Sequence, residues 1–352
     1  MPKKFSIGAV TFEEGKTAVI AEAGVNHLGR FDYAKKLIEG AKEAGADIVK
    51  FQTYKANRLT TKNAPRFWSW DGELDGNGSQ FDSYSKLDSF GLDEYKELKN
   101  ICDQVGIEFM STPFDPDSVD LLEAVGVNGY KIASCDITNK PLVEKIASTK
   151  KPVLLSTGAA TLEEIRRAVN WANEAGCEDI LIMHCTLTYP TPVEDSNLLA
   201  ISQMRREFPN HLIGHSDHTL GVDVASAGTL LGSSALEKHF TFDKTLPLSA
   251  DHWLSLDVAD LKELVSRIRI FESSLGSGLK GPLDSEMLAR TNARRSIVAS
   301  RELLVGEVIK LEDLEFKRPG TGIEPHQLDN VIGKILLKDV SADSLLSTTD
   351  FS

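Results

Sequence analysis

No run of about 18 apolar residues occurs in the chain, so nothing in it reads as a membrane-spanning helix. Met1-Pro2-Lys3-Lys4 is followed by no apolar stretch and cleavage site of the kind that marks a secretory leader. Together these absences predict a cytoplasmic protein. Cysteine is scarce: Cys102, Cys135, Cys177 and Cys185 include no C-x-x-C pair, which argues against a disulfide framework and for buried, reduced thiols. Positive charge is in deficit, with 39 Lys and Arg against 52 Asp and Glu, a net charge of −13. That balance argues against nucleic acid and anionic membranes as partners. It leaves room for a small anionic substrate, because a few lysines focused in a cleft outweigh a distant acidic surface.

What is present is a rhythm. Short apolar runs at 18–24, 47–52, 108–113, 129–134, 152–157, 179–185, 212–218 and 235–241 alternate with stretches of helical spacing such as 33–44, 92–104, 162–175 and 198–208. Eight parallel βα units are the number that closes a (β/α)8 barrel, while a doubly wound open sheet is the rival that periodicity alone does not exclude. A barrel of roughly 250 residues plus a small module also suits the chain length of 352. The Gly- and Pro-rich stretch 276–285 opens a linker, set at 281–293. The barrel is therefore expected over residues 1–280 and a separate domain over 294–352, with β-like pieces at 296–299, 314–317 and 334–337. An insertion at 57–89, carrying Trp68 and Trp70, separates the second strand from its helix; a loop that long is usually functional or disordered.

In a barrel of this kind the chemistry sits at the C-terminal ends of the strands. Polar residues recur at those places: Glu22, Lys50 and Gln52, Thr112, Lys131 with Ser134 and Asp136, Ser156, His184 with Tyr189, the 215–218 run His-Ser-Asp-His, and Glu237-Lys238-His239. Buried polar groups without partners cost a few kcal/mol each, so eight such clusters are hard to explain as idle strand ends. Lys50 and Lys131, with nearby hydroxyls, suit a phosphate and a carboxylate; taken singly, each is also an ordinary surface charge. His218 and His239 end neighbouring strands and can share a divalent ion, the alternative being hydrogen-bonded core histidines. His215 competes, but period-two alternation puts it on the opposite face from His218. Glu22 is a candidate acid–base or water-positioning group.

Eight segments, in order, carry a resemblance: IAEAGVNHLG at 20–29, VKFQ at 49–52, STPF at 111–114, KIAS at 131–134, LSTG at 155–158, YPTP at 189–192, SDHT at 216–219 and EKHF at 237–240. With Arg294-Arg295-Ser296 and Lys317-Arg318-Pro319-Gly320 in the tail, the chain resembles the N-acetylneuraminate (sialic acid) synthase family with its antifreeze-like SAF module. The resemblance implies a closed barrel and a transferase that condenses phosphoenolpyruvate with an N-acyl hexosamine-like sugar and water. It implies that Lys50, Thr112, Lys131, Ser134, Ser156 and Ser216 cradle phosphoenolpyruvate. It makes His218 and His239 the ligands of Mn2+ or Mg2+, and turns Gln52, Asp136, Tyr189 and Asp251 toward the sugar. Arg318 would reach the neighbouring subunit's site in a domain-swapped homodimer. The chain departs from the family pattern at Leu187, at Cys135-Asp136, at Leu248-Ser249-Ala250 before Asp251 and in the 57–89 insertion, all on the sugar side. N-acetylmannosamine and precursors of legionaminic, pseudaminic and ketodeoxynonulosonic acids are the acceptors left open. Competing readings are a Schiff-base aldolase using Lys131 and a sugar- or ice-binding protein without activity.

Overall fold

The structure, a computed structural model, describes residues 3–68, 78–246 and 251–352. It divides into two compact units, Met1–Gly276 and Ser277–Ser352. Among the described residues no helix is long and apolar enough to cross a membrane.

The first unit is the eight-stranded parallel sheet of a TIM barrel. Its strands are β1 (Ala18–Gly24), β2 (Ile48–Thr53), β3 (Glu108–Pro113), β4 (Tyr130–Ile132), β5 (Val153–Ser156), β6 (Ile180–Cys185), β7 (Leu212–Asp217) and β8 (Ala235–His239). They are hydrogen-bonded in the order β3-β2-β1-β8-β7-β6-β5-β4, and the end strands β3 and β4 pack side by side. The helices α1 (Phe31–Ala44), α2 (Leu92–Val105), α3 (Pro116–Val125), α4 (Lys140–Ala147), α5 (Leu162–Glu174), α6 (Leu199–Glu207), α7 (Asp223–Leu230) and α8 (Val258–Ser274) each follow one strand. Local chemistry marks their limits. Asp115 caps α3 ahead of Pro116, and Thr161 with Glu164 forms a capping box on α5. The expected runs and these elements agree to within a residue or two, apart from the shorter β4.

Two apolar layers show which way each side chain points. The outer one lies between sheet and helices and takes Val19, Ala21, Val49, Phe51, Ile182, Ile213 and Leu236. The inner one takes Ala18, Ile20, Ile48, Met110, Leu154, Leu181, Leu212 and Ala235, from the first turns of the strands. Strict alternation then carries Glu22, Lys50, Thr112, Lys131, Ser156, Ser216, His218, Glu237 and His239 to the inside, at the opposite end. The barrel is therefore apolar at its N-terminal end and charged at its C-terminal end.

The apolar end is closed by a hairpin the periodicity did not announce, Lys4–Ile7 paired antiparallel with Val10–Glu13. Ile7 and Phe12 enter the inner layer and are fully buried, with Phe5 stacked on Phe12 at 5.1 Å. In the second unit β9 (Ser296–Ala299) pairs antiparallel with β10 (Leu314–Lys317) over a core of Ile297, Leu303, Ile309, Val331 and Leu346. The third expected piece, 334–337, makes only single bridges, Ile335 to Val308 and Leu336 to Phe351, because the chain there pairs one residue at a time. A short helix, Met287–Ala293, occupies much of the stretch expected as linker.

The plug sets a stability test. Phe12→Ala empties a fully buried ring site, and such truncations cost about 3–5 kcal/mol. Urea unfolding should show that loss; a Phe12→Ala protein within about 1 kcal/mol of wild type would contradict the plug.

Candidate active site

The strand register assembles a four-membered charge cluster. Glu22 on β1 stands opposite Lys50 on β2, and Glu237 on β8 stands opposite Ser216 on β7. Lys50 Nζ lies 2.6 Å from Glu22 Oε2 and 3.5 Å from Glu237 Oε1, and donates to Thr112 Oγ1 at 3.1 Å. Lys131 Nζ donates to Glu237 Oε2 at 2.6 Å. Gln52 Nε2 donates to Glu22 Oε1 at 3.0 Å, and Ser216 Oγ to Glu237 Oε1 at 3.4 Å. None of the four charged groups is more than 5% exposed.

Burial affects the two carboxyls differently. At Glu237 the desolvation that would raise its pKa is outweighed by Lys131 and Lys50, which bring it down to about 2. At Glu22 burial dominates, Lys50 opposes it and Glu237 adds to it, and the carboxyl rises to about 7. One glutamate is thus a fixed counter-charge and the other is poised to take or give a proton near neutrality.

These groups line a cavity of about 290 Å³. Ser134, Ser156 and Ser216 share its wall with the two lysines. Ser134 Oγ accepts from the Gly158 N–H at 2.9 Å. A Cβ on Gly158 would come within 2.9 Å of Ser134 Oγ and 3.0 Å of Leu187 Cβ, so the close approach needs glycine. Ser156 Oγ is buried and has no hydrogen-bond partner among the described residues, leaving a hydroxyl open to the cavity.

On the other side stand His218 and His239, ring centroids 5.4 Å apart, with Tyr189 4.1 Å from the first and 5.8 Å from the second. His218 Nδ1 lies 2.8 Å from the Thr186 carbonyl, which can only accept, so that nitrogen carries a hydrogen and Nε2 is the one that offers a lone pair when the ring is neutral. Cys185 Sγ is 3.9 Å from Nδ1. Burial lowers the His218 pKa, but Cys185 outweighs it, and the pKa is raised. Burial and the neighbouring His218 keep His239 neutral, its pKa well below the usual value. Its buried Nδ1 has no hydrogen bond among the described residues and sits 3.5 Å from Asp251 Oδ2. Among the described residues no group of three or more His, Cys, Asp or Glu gathers as a metal cage. The donors present are two imidazoles, which fit a divalent ion that keeps its other positions for substrate and water.

Gln52, Tyr189 and Asp251 complete the wall. Gly24, at φ +51°, is where β1 leaves the sheet; a Cβ there would approach Glu22 Oε1 at 3.3 Å and Asp251 Oδ2 at 3.8 Å. One expected residue of this unit, Asp136, does not line the cavity. Asp136 lies beyond β4 on a 3-10 turn that breaks the strand alternation, and it accepts from Asn139 Nδ2 instead. Arg318 belongs to the second unit and is exposed there. His215 faces the outside of the barrel, stacked on His184 at 5.6 Å, as alternation requires.

The insertion supplies what motif reading missed: Arg66, Phe67, Trp68, Tyr84 and Lys86 line the cavity. Trp70 and Leu248-Ser249-Ala250 lie outside the described residues. Leu187 and Cys135, two of the departures, line the cavity, as do Trp253 and Leu254. Glu237 was also missed as a site residue, although it shares the face of His239 two positions on.

Residues 37–280 match the NeuB family and residues 294–352 the SAF domain. An N,N'-diacetyllegionaminic acid synthase of Legionella pneumophila subsp. pneumophila is 41% identical over 332 residues, 93% of this chain and 92% of that one. The N-acetylneuraminate-9-phosphate synthase of Mus musculus is 34% identical over 339 residues, covering 92% and 90%. The crystal structure of the N-acetylneuraminic acid (sialic acid) synthetase from Leptospira borgpetersenii serovar Hardjo-bovis, in complex with citrate, aligns at a TM-score of 0.73 and 31% identity. That alignment covers 82% of this chain and 95% of that one.

The raised Glu22 gives a signed pH test. Its carboxyl titrates near 7 when folded and near about 4.3 when unfolded, so between those values the folded chain holds the proton more tightly. That stabilising contribution is full below the unfolded value and is lost as pH rises through 7. The stability of wild type relative to Glu22→Gln should therefore fall from about pH 4.5 to 7 and level off above. Asp251, raised by burial to about 6, acts in both proteins and drops out of the difference. Denaturant unfolding at several pH values measures it, and a flat difference would contradict the raised carboxyl.

Proposed function

The chain belongs to the NeuB family, and on that premise we propose that it is a nonulosonate synthase. It joins C3 of phosphoenolpyruvate to the aldehyde carbon of an open-chain N-acyl hexosamine-like sugar, adds water at C2 and releases phosphate. The observation that carries this reading is one cavity with two chemistries. Buried Lys50 and Lys131 form one wall with the Ser156 hydroxyl; His218 and His239 form another, and among the described residues neither that hydroxyl nor His239 Nδ1 makes a hydrogen bond.

In this reading Lys131, Ser134, Ser156 and Ser216 hold the phosphate and carboxylate of phosphoenolpyruvate, with Lys50 braced behind them by Thr112. A divalent ion, Mn2+ or Mg2+, held by His218 and His239, would polarise the aldehyde oxygen and offset the alkoxide charge. Glu22, titrating near 7 and fixed by Gln52, orients the water that adds at C2 and takes its proton. Burial lowers the Lys131 pKa, and Glu237, 2.6 Å away, opposes it. Because that carboxyl is held down to about 2, the pair stays ionic, and Lys131 serves as an anchoring ammonium rather than an imine-forming amine. Gln52, Tyr189 and Asp251 face the sugar, and Leu187, Trp68 and Trp253 give its acyl groups an apolar wall. A bis-N-acylated sugar suits that wall, and the Legionella pneumophila relative is a synthase of a diacetyl nonulosonic acid. Arg318 completes the site of the neighbouring subunit in a domain-swapped homodimer. The reaction takes place in the cytoplasm, where phosphoenolpyruvate is made.

Phosphate release with phosphoenolpyruvate and a panel of N-acyl six-carbon sugars tests this directly. EDTA should stop it and Mn2+ or Mg2+ restore it. His218→Ala and His239→Ala should lose about 100-fold or more, while His215→Ala, on the outer face, keeps most activity. Full turnover in EDTA would remove the metal from the account. A borohydride-trapped pyruvate adduct on Lys131 would replace the synthase with an aldolase.

A further inference from the structure

Behind the histidine wall, on the helix side of the sheet, lies a second set of buried charges that the reaction does not touch. Asp217 and Lys238 share the outer face with Ile213 and Leu236, which belong to the apolar outer layer. Lys238 is 1% exposed and Asp217 3%. Lys238 Nζ lies 2.5 Å from Asp217 Oδ2 and also donates to the Thr219 carbonyl. Asp217 accepts from the Thr219 N–H at 3.1 Å and from Thr219 Oγ1 at 2.9 Å.

Each ion removed from water here costs several kcal/mol, and an apolar pair of similar volume would continue the layer at no loss. The charges are better explained by what they hold. Asp217 and Thr219 flank His218, and Lys238 lies between Glu237 and His239. The three linked residues close the chain around His218 from the outside, so its ring can point only into the cavity. They also tie that turn of β7 to the strand that carries His239. On the cavity side Nδ1 of His218 reaches the Thr186 carbonyl and lies 3.9 Å from the Cys185 thiol, the Tyr189 ring packs on it at 4.1 Å, and its own carbonyl accepts from the Thr191 N–H at 2.9 Å.

We propose that Asp217, Lys238 and Thr219 form a positioning clamp that sets the imidazole of His218 relative to that of His239. The inference rests on the reading of those histidines as working residues of the site. Asp217 and Lys238 touch no substrate and act only through His218 and the strand ends.

The test uses the full chain with both charges removed, Asp217→Leu with Lys238→Met, so that neither ion is left buried alone. It should still fold, with an unfolding midpoint below that of wild type, because the ion pair leaves as a unit while the Thr219 N–H, hydroxyl and carbonyl lose their partners. Ring-15N NMR, with the His218 signals assigned through His218→Gln, should show one Nδ1–H tautomer in wild type and a shifted, averaged pair of signals in the double variant. Mn2+ affinity, measured by electron paramagnetic resonance, should drop about 10-fold or more, as when groups behind a metal ligand are lost. Phosphoenolpyruvate affinity, set on the lysine wall, should change less than about twofold. A folded double variant with unmoved His218 signals and unchanged Mn2+ affinity overturns the clamp. Should wild type bind no Mn2+ while the His218 signals still shift in the variant, the metal reading fails and the clamp stands. If the double variant does not fold, Thr219→Val, which removes one hydroxyl from Asp217, decides by the same NMR signals. Their movement supports the clamp, and their constancy in folded Thr219→Val overturns it.

Discussion

Everything at the working end of the barrel depends on one buried arrangement, the chain of ion pairs Glu22–Lys50–Glu237–Lys131. Four charges with almost no solvent contact are tolerated only because each finds an opposite partner within a few ångströms. The arrangement is electrically balanced and chemically lopsided. Glu237, between two lysines, is held as an anion, whereas at Glu22 burial outweighs the opposing lysine and raises the carboxyl. An arriving anion finds Lys131 with a single carboxylate partner among the described residues and an unpartnered Ser156 hydroxyl beside it. The same balance that holds the empty barrel together therefore leaves capacity for a phosphate or carboxylate.

This cluster follows from sheet geometry. In a parallel barrel the inward residues form stacked layers, and in this chain the layers change character along the axis. Ile20, Ile48, Leu154, Leu181 and Leu212 fill the lower part, with Phe12 and Ile7 from the hairpin beneath them. Two residues further along, the same face carries Glu22, Lys50 and Ser156; on β7 the change comes later, at Ser216 and His218, and on β6 Met183 still belongs to the apolar layer. The apolar half gives rigidity, and the polar half inherits that rigidity as fixed distances between charges. On the outer face the Asp217–Lys238 pair breaks the apolar layer at the point where two strands present His218 and His239.

Most of this was legible in the sequence, for a physical reason. Period-two alternation has no slack, so knowing that Ile20, Ile48 and Leu212 face inward fixes Glu22, Lys50 and His218 and turns His215 away. The reading weakened where that period ends. Asp136 lies past β4, where the chain coils into a 3-10 turn and points its carboxylate at Asn139. The hairpin escaped because two four-residue strands outside the βα rhythm carry little signal. Glu237 was seen as a strand end, but its place between two lysines comes from register between three strands. The insertion's contribution, Arg66, Trp68 and Tyr84 on the cavity wall, has no periodicity to announce it.

On the proposed function, the buried lysines form the anion site. Calorimetric titration of phosphoenolpyruvate into wild type, Lys131→Met and Glu22→Gln, at one fixed ionic strength, tests it most directly. Lys131→Met should weaken binding about 10-fold or more, since a charge-assisted hydrogen bond in a buried site contributes roughly 1.5–3 kcal/mol. Glu22→Gln, which removes a competing negative charge, should bind as well as wild type or better. Equal affinity in wild type and a folded Lys131→Met would contradict the account, because the cluster would then exist only to hold the barrel together.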